Sequence, residues 1–218
     1  MRVRALLCVV MMGSSVAVAA ESPKDIAEKI ESFYAEKEDI RATFTQEVRK
    51  PGRRRVIRKT GKVFFKRPGM MRWDYRKPEA VHYISDGSVL WSYQPEDSLV
   101  TRLNVQHSEL YHQSRYLFGQ GQLSNDFTLS LRSSKDTTDA GLLMTPKRKS
   151  RHFKSLTLWV NPQTGEIRST ELVDPYDNVS RVIFEKLQYK VLDRSVFEFS
   201  PPQGVQIRDL SKAKRSGS

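Results

Sequence analysis

The chain has very little cysteine, and beyond its N-terminal segment it has no long apolar run. Its 218 residues contain a single cysteine, Cys8, which lies inside that segment. Because a disulfide needs two thiols, a disulfide-stapled domain is excluded, as are a cysteine nucleophile and a thiolate metal site in the remaining chain. A membrane-spanning helix needs about 20 consecutive apolar residues, and no later stretch approaches that length.

Catalytic and metal-binding patterns are also absent. The 4 histidines are His82, His107, His112 and His152. None of them has the spacing to another histidine or to an acid that a metal site needs. The sequence has no Gly-x-Ser-x-Gly nucleophile motif, no phosphate-binding glycine loop and no calcium-binding loop. We therefore predict that the protein is not an enzyme and binds no metal or cofactor.

The first 20 residues have the features of a secretory signal peptide. Arg2 and Arg4 precede an apolar run that ends in a small-residue cleavage signal, Ala17-Val18-Ala19. We predict that residues 1–20 are removed on export and that residues 21–218 form a single domain. With 38% hydrophobic and 10% aromatic residues, the chain has enough apolar side chains for one large core.

Positive charge dominates the sequence. The formal net charge is +12 at pH 7, and Lys and Arg are dense in residues 50–66 and 147–154. Nucleic-acid binding is one use of such a surface, but export from the cytoplasm argues against it. The alternatives that remain are a solvated basic face, or attraction to anionic lipid headgroups or to an acidic partner.

Alternating apolar and polar residues predict a mainly β fold. Ile26 and Ile30 recur at helical spacing, which predicts an N-terminal helix. From Ile40 the period changes to two, and about ten or eleven short strands follow at intervals of about 8–12 residues. A second helical pattern interrupts them at residues 108–118, and the last strand is predicted at Val196–Ser200. Such a series of short strands is typical of a sandwich or a barrel.

The most distinctive stretch is a predicted hairpin that turns at Pro68-Gly69. Proline fixes φ and glycine accepts a positive φ, so this pair fits a tight turn. Alternation places Phe64 and Phe65 on opposite faces of the first strand. In the second strand, alternate residues share one face: Met71, Trp73 and Tyr75. The hairpin is either an ordinary amphipathic pair of strands or the wall of an apolar pocket with Arg67 at its mouth.

Five motifs, spread over most of the chain beyond the signal peptide, carry a family resemblance. In chain order they are Ala42-Thr43-Phe44-Thr45-Gln46, Lys66-Arg67-Pro68-Gly69 with Trp73, Ser85-Asp86-Gly87 with Leu90-Trp91 and Tyr93-Gln94-Pro95, the weaker Leu143-Met144-Thr145-Pro146-Lys147, and Phe197–Val205. In this order and spacing the set resembles the periplasmic lipoprotein carrier family LolA. The resemblance implies a mainly β fold, a half-open antiparallel β-barrel, with an N-terminal helix and lid helices that cover an apolar cavity.

The resemblance also implies a function and a location, the periplasm. The cargo would be triacylated lipoproteins. An inner-membrane ABC transporter of the LolCDE type would load the carrier, and an outer-membrane receptor of the LolB type would unload it. We expect a monomer that binds no nucleic acid. Each acyl CH₂ left in water costs about 0.8 kcal/mol, so such a carrier needs apolar wall area and a movable cover.

Particular residues receive roles from the resemblance. Arg67 matches the arginine that holds the lid shut by hydrogen bonds to lid backbone, a task that suits the five donors of a guanidinium. Without the resemblance, Arg67 would be an exposed arginine at a strand end. Met71 stands where the family has a lid-proximal phenylalanine, and methionine keeps the site apolar. The residues expected to line the acyl-chain cavity are Phe65, Met71, Trp73, Trp91, Leu117 and Phe118.

Two other functions stay open on the sequence alone. The same half-barrel could belong to an envelope protein that senses lipids or lipoproteins and signals through a partner. The chain could also be a purely structural envelope protein. A bound acylated lipoprotein would favour the carrier, a stable complex with a signalling protein and no cargo would favour the sensor, and the lack of both ligand and pocket would favour the structural role.

Overall fold

The computed structural model of the protein describes residues 21–108, 122–134 and 137–211. The predicted signal peptide, residues 1–20, lies outside the described residues. So does most of the second helical pattern, together with the cavity candidates Leu117 and Phe118.

The described residues form two α-helices and twelve β-strands. Helix α1 is Pro23–Glu36, and the single-turn helix α2 is Leu123–Asp126. The strands are β1 Ile40–Arg49, β2 Ile57–Lys66, β3 Met70–Lys77, β4 Val81–Ser85, β5 Val89–Gln94, β6 Leu99–Asn104, β7 Phe127–Ser133, β8 Ala140–Pro146, β9 Ser155–Val160, β10 Ile167–Val173, β11 Val179–Tyr189 and β12 Gln206–Asp209. Two 3-10 helices, Val105–His107 and Arg194–Phe197, follow β6 and β11.

All twelve strands join one sheet in the order β12-β6-β5-β4-β3-β2-β1-β11-β10-β9-β8-β7. The strand pairs are antiparallel, except that β12 runs parallel to β6. Strands β12 and β7 lie at the two ends of this order, so the sheet is not closed into a barrel. The predicted half-open antiparallel architecture with an N-terminal helix is confirmed, with one or two strands more than expected.

The prediction that the last strand is Val196–Ser200 is wrong. The chain forms the 3-10 helix Arg194–Phe197 there, and the last strand of the sheet is β12, beyond the two prolines. Phe197 is buried against Met70 and Leu192. Its apolar character therefore reflects packing onto the sheet rather than pairing within it.

Helix α1 begins with a sequence that is typical of a helix start. Ser22 and Asp25 form a reciprocal capping box: the Ser22 N–H donates to the Asp25 carboxylate at 2.8 Å, and the Asp25 N–H donates to Ser22 Oγ at 3.2 Å. Pro23 occupies the first turn, where its missing N–H costs nothing. The buried side of the helix consists of Ile26, Ala27, Ile30 and Tyr34.

The sheet has two faces with separate apolar clusters, and we call the face that carries α1 the inner face. The larger cluster lies there and joins α1 to alternate residues of the strands. The opposite, outer face carries a smaller cluster that consists of Phe64, Met70, Leu192, Val196 and Phe197. The two sides of the β2–β3 hairpin are therefore both partly covered, one by a helix and one by the C-terminal segment.

The turn between β9 and β10 touches the backbone of α1. Gly165 lies in this turn with a φ of +80°, and a Cβ built there would be 2.4 Å from the Lys29 carbonyl oxygen and 2.8 Å from the Ile30 nitrogen. We expect Gly165→Ala to lower the free energy of unfolding by about 3 kcal/mol, because it adds a backbone clash to the cost of a positive φ. Urea denaturation measures this loss.

Gly52→Ala is the matched control for this prediction. Gly52 also has a positive φ, +69°, but a Cβ built there meets no atom within 4 Å. Replacing it by alanine should lower the free energy of unfolding only by the cost of a positive φ, about 1–2 kcal/mol. Equal losses in the two variants would show that the turn does not hold α1 in place.

Candidate functional site

The inner face of the hairpin region is a wall of buried aromatic rings. Trp73 is 3% exposed, and its ring centroid lies 4.9 Å from that of Phe44 and 5.6 Å from that of Phe65. Its ring is also nearly parallel to that of Tyr75, at a centroid distance of 6.3 Å. Phe65 pairs with Met71 in the strand register, which places both side chains on this face.

The structure brings together three of the four described cavity candidates. Phe65, Met71 and Trp73 are buried in the inner cluster. Trp91 is not among them: it follows the inner-face residue Leu90, so it points outward, where its ring lies 5.8 Å from that of Phe199. Trp91 therefore does not belong to this wall, contrary to the expectation from the sequence.

A small apolar cavity lies between α1 and the wall. Its volume is about 10 Å³, room for about one water molecule. The residues that line it come from α1 and four strands of the sheet, with Leu187 near the end of β11: Tyr34, Ile40, Ala42, Val63, Phe65, Ile167, Phe184 and Leu187. In this conformation the side chains of α1 lie against the inner face and leave little free volume at this cavity.

Arg67 fastens the C-terminal end of α1. Its guanidinium donates to the backbone carbonyl of Tyr34 at 2.6 Å and to that of Ala35 at 3.4 Å, and it also donates to the carbonyl of Lys37. The last carbonyls of a helix lack backbone partners, and a cation there complements the helix dipole. The Arg67 side chain is exposed, so it can leave these carbonyls without becoming a buried charge.

A second polar anchor lies deeper under α1. The Tyr34 hydroxyl accepts a hydrogen bond from the backbone N–H of Ile167 at 3.0 Å, and the Tyr189 hydroxyl donates to the Glu166 carboxylate at 2.8 Å. Burial raises the pKa of Tyr34 to about 12. Burial, Tyr34 and Glu166 together raise the pKa of Tyr189. Sequence reasoning missed Tyr189 and Glu166, because only the pairing of strands brings them to α1.

One polar atom in the wall is unpaired. Trp73 Nε1 is buried and has no hydrogen-bond partner among the described residues. A buried N–H without a partner costs about 1–3 kcal/mol. A bound molecule that placed a carbonyl oxygen at this depth would remove that cost.

Within the described part of the chain, the side chains offer no metal site, since no group of three or more His, Cys, Asp or Glu could hold an ion. None of the described helices is both long enough and apolar enough to cross a membrane. What the inner face offers is therefore apolar surface under a helix that polar contacts hold in place. Such an arrangement is suited to binding hydrocarbon.

Comparison with known proteins gives a family match over most of the chain. The profile of the family described as "Outer membrane lipoprotein carrier protein LolA" matches residues 36–200. The outer-membrane lipoprotein carrier protein of Salmonella paratyphi B is 30% identical over 210 residues, which are 95% of this chain and 96% of that protein. The protein of the same name from Salmonella typhimurium matches with the same identity and coverage.

Solved structures also match the chain. An uncharacterized conserved protein from Thermus thermophilus has a TM-score of 0.55 at 12% sequence identity, with coverage of 85% of this chain and 98% of that chain. A LolA superfamily protein from Nitrosomonas europaea has a TM-score of 0.47 at 13% identity, with coverage of 83% and 99%. At 12% identity, the likeness to the Thermus protein shows a common fold alone.

Proposed function

Because the chain belongs to the family of outer membrane lipoprotein carrier proteins, LolA, we propose that it is a periplasmic carrier that shields the acyl chains of lipoproteins on their way to the outer membrane. The observation that carries this proposal is the aromatic inner wall, which α1 covers. Polar contacts hold the end of this helix, and their loss would let the helix move away from the wall. The protein would act as a chaperone for its cargo and not as an enzyme.

The acyl chains would replace α1 on the wall. In the described conformation, Ile26, Ile30 and Tyr34 of the helix occupy the inner face. Each acyl CH₂ transferred from water to this face gains about 0.8 kcal/mol, but the helix loses its own apolar contacts in the exchange. The net affinity is then moderate, which allows both loading and release.

Two residues would have distinct roles in this exchange. Arg67 would lock the cover by its bonds to the end of α1, and loss of those bonds would begin the opening. Trp73 would line the cavity with Phe65 and Met71, and its free Nε1–H would donate to an ester or amide carbonyl of the acylated cargo. The other candidates, Leu117 and Phe118, would contribute from the cover.

The partners follow from the same proposal. Triacylated lipoproteins would be received from an inner-membrane ABC transporter of the LolCDE type and delivered to an outer-membrane receptor of the LolB type. A monomer suffices for this task, because a single chain supplies both wall and cover.

Tryptophan fluorescence tests the proposal directly, because the chain has 3 tryptophans and only Trp73 lies in the inner wall. In a Trp91→Phe/Trp159→Phe variant, the remaining Trp73 should lose more than half of its fluorescence on loading with a triacylated lipopeptide whose acyl chains carry bromine. The reason is that bromine quenches only on close contact.

A Trp73→Phe/Trp159→Phe variant is the matched control. Its remaining Trp91 lies on the outer face against Phe199, so its fluorescence should stay nearly constant. Quenching of Trp91 without quenching of Trp73 would place the acyl chains on the wrong face and refute the proposed cavity.

A further inference from the structure

A basic cleft lies on the outer face of the sheet, where β11, β1 and β2 are neighbours. Its volume is about 300 Å³. We call this space the basic cleft. It is lined by Arg41, Ala42, Thr43, Lys62, Lys186, Gln188 and Lys190. The cleft has no part in the cover or in the aromatic wall described above.

A β-bulge between β1 and β11 shapes the cleft. Arg41 pairs with Gln188 and Thr43 pairs with Glu185, so two residues of β11 oppose one residue of β1. Lys186 lies in this bulge with a φ of 53°, a left-handed conformation that is uncommon for residues other than glycine. The irregularity brings the Lys186 side chain into the cleft, and such strained positions are concentrated at binding sites.

The cations of the cleft have no carboxylate partner among the described residues. The ion pairs that those residues form include none of Arg41, Lys62, Lys186 and Lys190. By contrast, the nearby Lys66 pairs with Asp39 at 2.6 Å. Glu185 lies on the same face, since it pairs with Thr43, but it is exposed and does not line the cleft. The residues that line the cleft therefore carry only positive charge.

We propose that the basic cleft binds the phosphate of an anionic phospholipid headgroup. Lysine ammonium groups and an arginine guanidinium are the side chains that recognise phosphate, and the Gln188 amide adds an uncharged donor. A bound phosphate would neutralise like charges that otherwise repel one another. The volume of about 300 Å³ accommodates a headgroup.

The choice of a lipid, rather than free phosphate, rests on the carrier function proposed above, since a carrier of acylated cargo must meet membranes. The position of the cleft agrees with this choice. Ala42 lines both the basic cleft and the small cavity on the inner face. A headgroup bound in the cleft would therefore hold the membrane surface close to the strand that lines the acyl-chain site.

Vesicle sedimentation with the protein as residues 21–218 tests this proposal. The probe is a set of vesicles of phosphatidylglycerol and phosphatidylcholine, with pure phosphatidylcholine vesicles as the neutral reference. Lys62→Gln/Lys186→Gln should weaken binding to the anionic vesicles about 25-fold, since each basic residue at a membrane surface contributes about fivefold. Inorganic phosphate, added at constant ionic strength, should compete with the vesicles.

Arg53→Gln/Arg54→Gln is the matched control, because it removes the same charge from an exposed turn between β1 and β2. Binding should stay within about twofold of the unchanged protein. Equal weakening by both double variants would show diffuse attraction and overturn the proposal. Binding of inorganic phosphate without vesicle binding would overturn the lipid assignment, and so would a preference for polyglutamate over the vesicles.

This test is separable from that of the carrier function. The vesicles contain no lipoprotein, so failure of binding leaves the bromine quenching of Trp73 untouched. Conversely, anionic vesicles can bind through the cleft even if no acyl chain enters the inner face.

Discussion

Arg67→Leu is expected to make the amide hydrogens of α1 exchange about 10- to 100-fold faster with solvent. The substitution removes the hydrogen bonds from the guanidinium to the Tyr34 and Ala35 carbonyls. Hydrogen bonds to a charged group are worth about 1.5–3 kcal/mol net, and about 1.4 kcal/mol is a factor of ten in the opening equilibrium. Hydrogen-exchange mass spectrometry of peptides from Pro23–Glu36 measures this change.

If the protein carries lipoproteins as proposed, the same variant should hold the acylated cargo more tightly and release it more slowly to the proposed receptor. Ligand affinity scales with the population of the state that can bind, so an easier opening raises the apparent affinity. Arg76→Leu is the control: Arg76 is an exposed arginine near the end of β3, and its loss should change neither exchange nor release. Unchanged α1 exchange together with normal cargo release in Arg67→Leu would contradict the locking role.

Trp73→Ala is expected to lower the free energy of unfolding by about 3–5 kcal/mol, the cost of truncating a large buried aromatic residue. Trp73 is 3% exposed and packs against Phe44 and Phe65. For a chain of this size, each kcal/mol lowers the melting temperature by about 2–4 °C, so calorimetry should show a drop of roughly 10 °C.

Trp91→Ala provides the comparison within the same chain. Trp91 is only half-buried on the outer face, where it packs against Phe199 and lies under Arg102. Its truncation should cost about 1–2 kcal/mol and leave binding of the triacylated lipopeptide unchanged. If the two truncations cost the same, Trp73 would not be the centre of the inner wall. Should Trp73→Ala fail to fold, Trp73→Leu keeps the comparison possible.

The contrast between these two tryptophans shows where prediction from the sequence stops. Alternation along a strand places Trp91 and Leu90 on opposite faces, but it does not say which face is inner. The register settles this: Trp91 pairs with Ile84, and Ile84 pairs with Arg72, so Trp91 shares the outer face with Arg72. The cavity role given to Trp91 relied on its aromatic character, and strand pairing overrides that.

Arg67 also shows what can be predicted from the sequence and what cannot. The resemblance implied hydrogen bonds from Arg67 to backbone carbonyls of the lid, and the structure has such bonds, but to the end of α1. The distance along the sequence between Arg67 and Tyr34 is more than thirty residues, so no local pattern could name this partner. The second helical pattern, at residues 108–118, falls largely outside the described residues.

The sequence by itself determined the strand periods, the capped start of α1, the turn at Pro68-Gly69 and the family. Each of these depends on neighbours a few residues apart, or on motifs in a fixed order. Only the tertiary structure decided which sheet face is inner, that α1 packs against it, and that a bulge gathers Arg41, Lys62 and Lys186 in one cleft. These properties arise from pairing between distant strands, where a shift of one residue moves every side chain to the other face.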